Sequence, residues 1–490
     1  MGYDEIGAQD PQGGVGDMKW LIILFVVYIV QLITIILLEH KHPVKTVAWL
    51  FISLCIPFLG FIMYYFLAQE YSARRRVRKH RYVDRILEQL EQIQIVEDAS
   101  QLNNEEMRKQ RQLYELIDAM SDSPTTGCNQ TKVLTNGHDT FEAMIQAIRG
   151  ARHHIHMEFY ILRDDAVGRI FQDLLIEKAK QGVKVRVMTD GIGSIDLSKR
   201  YVNTFIEAGI EFHWFLPVWV SLFHRKLNYR NHRKILVIDG VIGFLGGINI
   251  GDEYIGRNEK TSFWRDTHLQ LEGDAVYTLQ AIFLHDWAFT SAQRVQEQDL
   301  FPQHKCTGTE QVKLVPSGPD MNWDAIQELY FGTLSRAKER VWIATPYFIP
   351  DSSNYLALKT AAVSGLDVRI IIPERSDSRI IDWASRSYVE ELLEAGVQFY
   401  VYQKGFIHAK TLIMDHALAC VGTANMDMRS FFSNFELNAV LFDPKTIARV
   451  EQDFLLDYED CVQIDYEQFR KRPRKQKLME SFSHLLSPLL

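Results

Sequence analysis

NHRKILVID (231–239) and IHAKTLIMD (407–415) are two versions of one pattern, H-x-K-x4-D, and their recurrence decides how the rest of the chain is read. Each is followed by a small-residue turn and an asparagine. Gly246, Gly247 and Asn249 follow the first, and Gly422, Thr423 and Asn425 follow the second. One H-x-K-x4-D alone is a weak signal. Two copies with the same downstream turn, at matching points of a duplication, are a strong one.

The duplication extends outward from the motifs. ARHHIHMEFYI (151–161) is echoed by AKERVWIATPYFI (337–349), and GVKVRVMTD (182–190) by GLDVRIIIPE (365–374). AGIEFHWF (208–215) is echoed by AGVQFYVY (395–402). Short Val/Ile-rich runs alternate with helical stretches, which predicts an α/β fold around a parallel or mixed sheet. The first copy carries about eleven extra residues between Leu216 and Arg230, including Pro217, Trp219, Leu222 and Phe223. An apolar insertion there suits a substrate-facing or membrane-dipping loop. QEQDLFPQHKCTGTEQ (296–311) has no apolar periodicity and reads as the linker between copies.

The motif spacing has a chemical meaning. Strand side chains alternate faces, so His232 and Lys234 share a face, as do His408 and Lys410. An imidazole, a fixed positive charge and an amide donor converging on one point suit a phosphate group. Asn249, Asn425, Gly247 and Thr423 are the phosphate-binding candidates, because a small-residue turn lets backbone approach a ligand closely. His232, Lys234, Asp239, His408, Lys410 and Asp415 form the catalytic signature. Within it, Asp239 and Asp415 lie at an odd offset from the histidines and read as structural. Each histidine needs a carboxylate on its other ring nitrogen. Asp266 in WRD and Glu436 in NFEL, each downstream of the histidine in its own copy, are the candidates. His153, His154 and His156 resemble a metal cluster at first sight, but with Glu158 and Tyr160 they read as one polar strand face. The proposed chemistry requires neither metal nor cofactor. Tyr347 and Phe348 fit a lipid entrance or the core equally well, and Asp427 and Arg429 are candidates for a local pair holding the second turn.

The N-terminal region is of another kind. Residues 20–38 and 47–68 are apolar runs, each long enough for a hydrocarbon core of about 30 Å. The leader before them is acidic, with Lys19 its only basic residue, which argues against a cleaved signal peptide. A retained two-helix hairpin is expected. Arg74, Arg75, Arg76, Arg78, Lys79 and Arg81 follow the second run, so the positive-inside rule places the remainder in the cytoplasm. Such a cluster also attracts anionic headgroups, at about 1 kcal/mol per basic residue. RKRPRKQK (470–477) could add a second contact, although a solvated tail reads as well. Residues 82–120 read as a polar connecting helix.

Over 490 residues, 54 basic and 62 acidic side chains leave a net charge of -8, which speaks against a general nucleic-acid binder. Five scattered cysteines fit neither a disulfide framework nor a thiolate metal site, and point to a reducing compartment.

The doubled motif resembles the phospholipase D superfamily. GGINIGDEY (246–254), WRDTHLQLEG (264–273), PSGPD (316–320) and the terminal LLSPLL (485–490) resemble its bacterial cardiolipin synthases in particular. The resemblance implies an N-terminal transmembrane hairpin and two tandem phospholipase D-like α/β domains with pseudo-two-fold symmetry and the active site between them. The expected division is an acidic tail (1–17), the hairpin (18–70), a basic juxtamembrane segment and linker (71–125), and domains at 126–300 and 301–490. It further implies transfer of a phosphatidyl group from one phosphatidylglycerol to another through a phosphatidyl-histidine, with His232 as nucleophile and His408 as acid and base. A hydrolase, or a transferase with another donor or acceptor, would share every catalytic residue. The implied setting is a multi-pass cell-membrane enzyme working on phosphatidylglycerol and other anionic lipids.

Overall fold

The computed structural model describes residues 13–38, 43–67, 93–218, 228–257, 263–295, 298–304, 306, 308–321 and 323–489. The basic cluster at 74–81 and most of the apolar insertion, including Trp219, Leu222 and Phe223, lie outside the described residues. Two compact units result: an N-terminal one, Met1–Gln69, and a large body, Glu70–Pro488.

In the N-terminal unit, helix Gly13–Leu38 contains Lys19–Leu38, the single stretch among the described residues that is long and apolar enough to cross a membrane. The second apolar run differs from expectation. It forms two shorter helices, Pro43–Cys55 and Leu59–Leu67, rather than one span. Pro57 is the physical reason: it offers no N–H, and it disfavours the helical conformation of Ile56 before it. The chain turns through Phe58 at φ 62°. Gly60 then lets the two helices meet, because a Cβ there would lie 2.8 Å from the Ser53 Cα.

The connector also differs from a continuous helix. Its described part carries three short ones, Ala99–Gln101, Glu105–Arg108 and Arg111–Ala119. Asp98 and Asn104 accept hydrogen bonds from backbone N–H groups of the helices they precede. Such side chains start new helices rather than extend old ones.

The body is mixed α/β. Its first copy supplies β1 (Thr125–Thr135), β2 (His154–Phe159), β3 (Lys184–Asp190), β4 (Glu211–Phe215), β5 (Ile235–Ile238), β6 (Ile242–Gly246), β7 (Trp264–Arg265) and β8 (Thr267–Gly273). The second supplies β9 (Glu310–Ser317), β10 (Arg340–Ala344), β11 (Phe348–Ile349), β12 (Asp367–Pro373), β13 (Gln398–Tyr402), β14 (Phe406–Ile407), β15 (Thr411–Met414), β16 (Leu418–Gly422), β17 (Met426–Asp427), β18 (Glu436–Leu441) and β19 (Cys461–Gln463). Fifteen strands form one sheet, in the order β19-β13-β12-β10-β15-β16-β18-β9-β1-β8-β6-β5-β2-β3-β4. β2, β3 and β4 pair in parallel and β5 runs antiparallel to β2. β10, β12, β13 and β15 repeat that arrangement. The copies meet where β9 pairs with β1. Helices cover the sheet, among them Ala275–Ser291, whose residues 275–287 are all buried.

One cysteine expectation is corrected. Cys128 and Cys306, 178 residues apart, are joined as a disulfide, while Cys55, Cys420 and Cys461 are free. No spacing signature foretold it, because the linker returns to β1 only through the tertiary fold.

Candidate active site

Each signature histidine lies in an irregular stretch three residues ahead of a strand, β5 for His232 and β15 for His408, and a partner segment fixes its backbone. The His232 N–H donates to the Phe435 carbonyl at 2.9 Å, one residue ahead of Glu436. The His408 N–H donates to the Arg265 carbonyl at 2.7 Å, one residue ahead of Asp266. β14 pairs in parallel with β7, and Asn231 bridges Phe435, so the two copies are stitched crosswise at the site.

That stitching corrects one expectation. The carboxylates are the expected ones, but they are exchanged between copies. His232 Nδ1 pairs with Glu436 Oε2 at 2.9 Å, and His408 Nδ1 pairs with Asp266 Oδ2 at 2.7 Å. With Nδ1 occupied, Nε2 is the ring nitrogen left to meet a ligand. Both carboxylates are fully buried. Thr423 Oγ1 donates to Glu436, and the Asn434 amide donates to it at 3.1 Å. The Thr267 N–H donates to Asp266 at 2.8 Å.

The histidines, with Asn249 and Asn425, line one cavity of about 640 Å³ in the body. Arg230, Arg429 and Arg375 line it too, as do Tyr160, Trp264 and Tyr347. Tyr160 meets His232 edge-on at 5.0 Å between ring centres, and Trp264 lies at the same distance from His408. Lys234 Nζ stands 5.4 Å from the centre of the Tyr160 ring and donates to the His232 carbonyl at 2.6 Å. Lys410 donates to the His408 carbonyl in the same way.

The other candidates are placed as follows. Asn249 Oδ1 accepts from the Ile161 N–H at 3.0 Å, and Asn425 Nδ2 donates to Asp427 at 3.0 Å. Asn425 Oδ1 is buried without a partner. Gly247 and Thr423 stand behind the carboxylates rather than on the cavity wall: a Cβ at Gly247 would fall 2.0 Å from Asp266 Oδ1. Asp239 and Asp415 do not line the cavity either. Asp239 accepts from the backbone N–H groups of Arg152, His153 and His154, and Asp415 from those of Lys338, Glu339 and Arg340. Each thus ties its strand end to the turn entering β2 or β10. Their place in the signature is structural.

His154, His156 and Glu158 are buried. His156 stacks on Phe283 and bonds Gln280 at 2.7 Å, so this strand face packs under helix Ala275–Ser291. Phe348 is core, while Tyr347 reaches the cavity. Asp427 does not pair with Arg429. It caps the short helix Met428–Phe432, and burial pushes its carboxyl up to about 6. Arg230, Arg375 and Trp264 were not singled out from the sequence; Arg230 is close to the first motif and Trp264 to Asp266, while Arg375 only follows the repeated run 365–374.

Burial sets the electrostatics. It holds His232 down at about 4, an effect that Glu436 offsets and Lys234 reinforces. It holds His408 down at about 3, with Lys410 pushing the same way and Asp266 opposing. Burial also lowers Lys234 to about 7 and Lys410 to about 8. For both carboxylates burial favours the protonated form, yet their hydrogen-bonded and charged neighbours outweigh it and hold them below the ordinary range: His232 and Lys234 for Glu436, Lys410 and His408 for Asp266. Near neutral pH the unliganded site therefore offers two neutral imidazoles beside partly charged ammonium groups. An anionic phosphodiester entering it would raise the affinity of one imidazole for a proton.

Two imidazoles, each backed by a carboxylate and followed by a lysine, are a donor set that suits phosphoryl transfer. Known proteins place the chain more narrowly. The family model described as "Cardiolipin synthase, PLD-like domain" matches residues 144–287 and 330–458, and "Phospholipase_D-nuclease N-terminal" matches residues 20–69. A cardiolipin synthase of Alkalihalophilus pseudofirmus is 44% identical, covering 96% of this chain and 95% of that protein. Cardiolipin synthase 2 of Bacillus cereus is 44% identical, covering 93% and 89%. Among solved structures, phosphatidylserine synthase of Haemophilus influenzae shares the fold, with TM-score 0.62 at 14% identity, covering 77% of this chain and 100% of that one. The chain belongs to the phospholipase D-like cardiolipin synthase family, and it is a phosphatidyltransferase.

Proposed function

We propose that the enzyme joins two phosphatidylglycerol molecules into cardiolipin and glycerol through a phosphatidyl-histidine. His232 Nε2 attacks phosphorus of the first lipid. The bond to its terminal glycerol breaks, and that oxygen leaves with a proton from His408. The terminal hydroxyl of the second lipid then loses its proton to His408 and attacks phosphorus, and the His232 Nε2 bond breaks. Atoms and protons balance over the cycle. Lys234, Lys410, Asn249 and Asn425 stabilise charge on the non-bridging oxygens, an electrostatic contribution that is usually the largest in such chemistry.

The observation that carries this reading is the pair of carboxylate-held imidazoles on one cavity. Arginines on the same wall suit anionic headgroups. Domains at 126–300 and 301–490 related by a pseudo-two-fold axis account for the equivalent roles. The N-terminal apolar region anchors the enzyme in the membrane, and the body works on the cytoplasmic side. The test is product analysis. Purified enzyme given phosphatidylglycerol vesicles without nucleotide should yield cardiolipin and an equimolar amount of glycerol. Phosphatidic acid as the sole product would make water the acceptor and overturn the transferase reading.

A further inference from the structure

A second cluster of reactive side chains lies away from the catalytic cavity, where the linker between copies returns to the first. Cys128 sits on β1 at a register shift and adopts φ 56°, a left-handed conformation uncommon for a residue with a side chain. Asp274 immediately precedes helix Ala275–Ser291. The linker brings His304 and Cys306 to them. Donor atoms of Cys128, Asp274 and His304 all lie within 4.8 Å of one another, and the Cys306 sulfur is bonded to that of Cys128.

The orientation of each donor is fixed from behind. Tyr277 donates its hydroxyl hydrogen to the Pro302 carbonyl, so its oxygen is an acceptor for His304 Nδ1–H at 2.7 Å. His304 Nε2 then faces Asp274 Oδ1 at 3.0 Å across a shared proton, the contact that a cation would replace. The other Asp274 oxygen accepts the Gln94 N–H at 2.7 Å. Outer contacts of this kind hold the ligands of metal sites. Backbone packing leaves little freedom, since a Cβ on Gly273 would meet the Cys128 carbonyl at 2.1 Å and one on Gly308 the Asn129 carbonyl at 1.9 Å.

We infer that Cys128, Cys306, His304 and Asp274 form a tetrahedral site for a divalent cation of zinc type, which replaces the Cys128–Cys306 disulfide when the sulfurs are reduced. Two thiolates, an imidazole nitrogen and a carboxylate oxygen are a zinc donor set. Metal-ligand bonds of about 2.0–2.3 Å imply donor-donor edges of about 3.5 Å, so on reduction the two bonded sulfurs part while the wider separations within the cluster close. A dithiol reductant gives two electrons and two protons to the disulfide and is itself oxidised to a disulfide. The cation then displaces both thiol protons to solvent. Either form clips the linker onto β1, so the fold is held in both redox states. That the metal form is the resident one rests on the cytoplasmic orientation proposed above; the capacity to bind does not.

The test uses the full-length detergent-solubilised protein and zinc alone. After reduction by a dithiol and gel filtration, the wild-type chain should retain one zinc per molecule against a mild chelator. Oxidation should release it together with the loss of two titratable thiols. Cobalt in place of zinc should show the intense ligand-field bands of a tetrahedral thiolate site. Cys306→Ser and His304→Ala, both in the linker, should lose the stoichiometric metal while keeping Cys55, Cys420 and Cys461. Failure of the reduced wild type to hold zinc, or retention of zinc by Cys306→Ser, would overturn the proposal. Thiol labelling on intact and opened cells tests the orientation separately, so the two can fail independently.

Discussion

The two halves of the catalytic cavity share a plan but not an environment. Glu436, behind His232, also receives the Thr423 hydroxyl and the Asn434 amide. Asp266, behind His408, is pressed against Gly247, and His408 forms an aromatic cluster with Trp264 and Phe406, which also touch each other. Two side-chain donors thus back the carboxylate of one imidazole and a backbone N–H that of the other, while one aromatic ring, Tyr160, meets His232 and two meet His408. The repeated signature supplies equal side chains; their surroundings are what can divide the labour between nucleophile and proton carrier.

The sharpest way to break that comparison is to remove one histidine at a time. His232→Ala should lower turnover of phosphatidylglycerol by about 10⁴-fold or more, as loss of a nucleophile does. His408→Ala should be comparably impaired with the natural lipid. With a nitrophenyl leaving group, which needs no proton, it should still release a burst of nitrophenol, and His232→Ala should not. Equal behaviour of the two variants would erase the assigned roles.

Next in size come the carboxylates. Neutralising the partner of a catalytic histidine costs up to about 10⁴-fold in kcat. The crosswise pairing predicts that Glu436→Gln copies the His232 variant and that Asp266→Asn copies the His408 variant, leaving-group rescue included. The reverse pattern would mean that each carboxylate serves the histidine of its own copy.

Asp239→Ala and Asp415→Ala should separate structure from chemistry. Each abandons three backbone N–H groups, which lowers unfolding stability by about 2–4 kcal/mol. Denaturant titration should show that loss, while kcat per folded molecule stays at the wild-type level.

The smallest effect is on pH dependence. Lys234 and Lys410, lowered to about 7 and about 8, carry their charges below those values and lose them above. The profile of kcat/KM reports the free enzyme, so it should fall as pH rises through 7 to 8. kcat should fall less, because bound phosphate holds both ammonium groups protonated. A kcat/KM flat to pH 9 would remove the lysines from lipid capture.

The repeat made both histidines and the α/β character legible, because short motifs are local facts, but the His-x-Lys segments lie just ahead of β5 and β15 rather than in the strands expected, and the lysines are not on the cavity wall. The odd offset of Asp239 and Asp415 likewise pointed away from the cavity. What escaped was tertiary. Asp266 and Glu436 were found, but their exchange depends on β14 meeting β7, which no single copy encodes. Pro57 divides a stretch whose composition alone reads as one span. The Cys128–Cys306 bond needs the linker to return to β1. Trp264 and Arg230 enter the cavity through crosswise contacts that the motifs do not spell out.

The central claim is a covalent intermediate on His232, discharged by a proton carrier that the other copy supplies and the first copy orients. Rapid quench of His408→Ala with the nitrophenyl phosphatidyl ester, followed by neutral-pH peptide mass spectrometry, tests it most directly. The expected result is a phosphatidyl mass on the peptide containing His232. Nitrophenol release with no modified histidine, or a wild-type quench that places the group on His408, would contradict it.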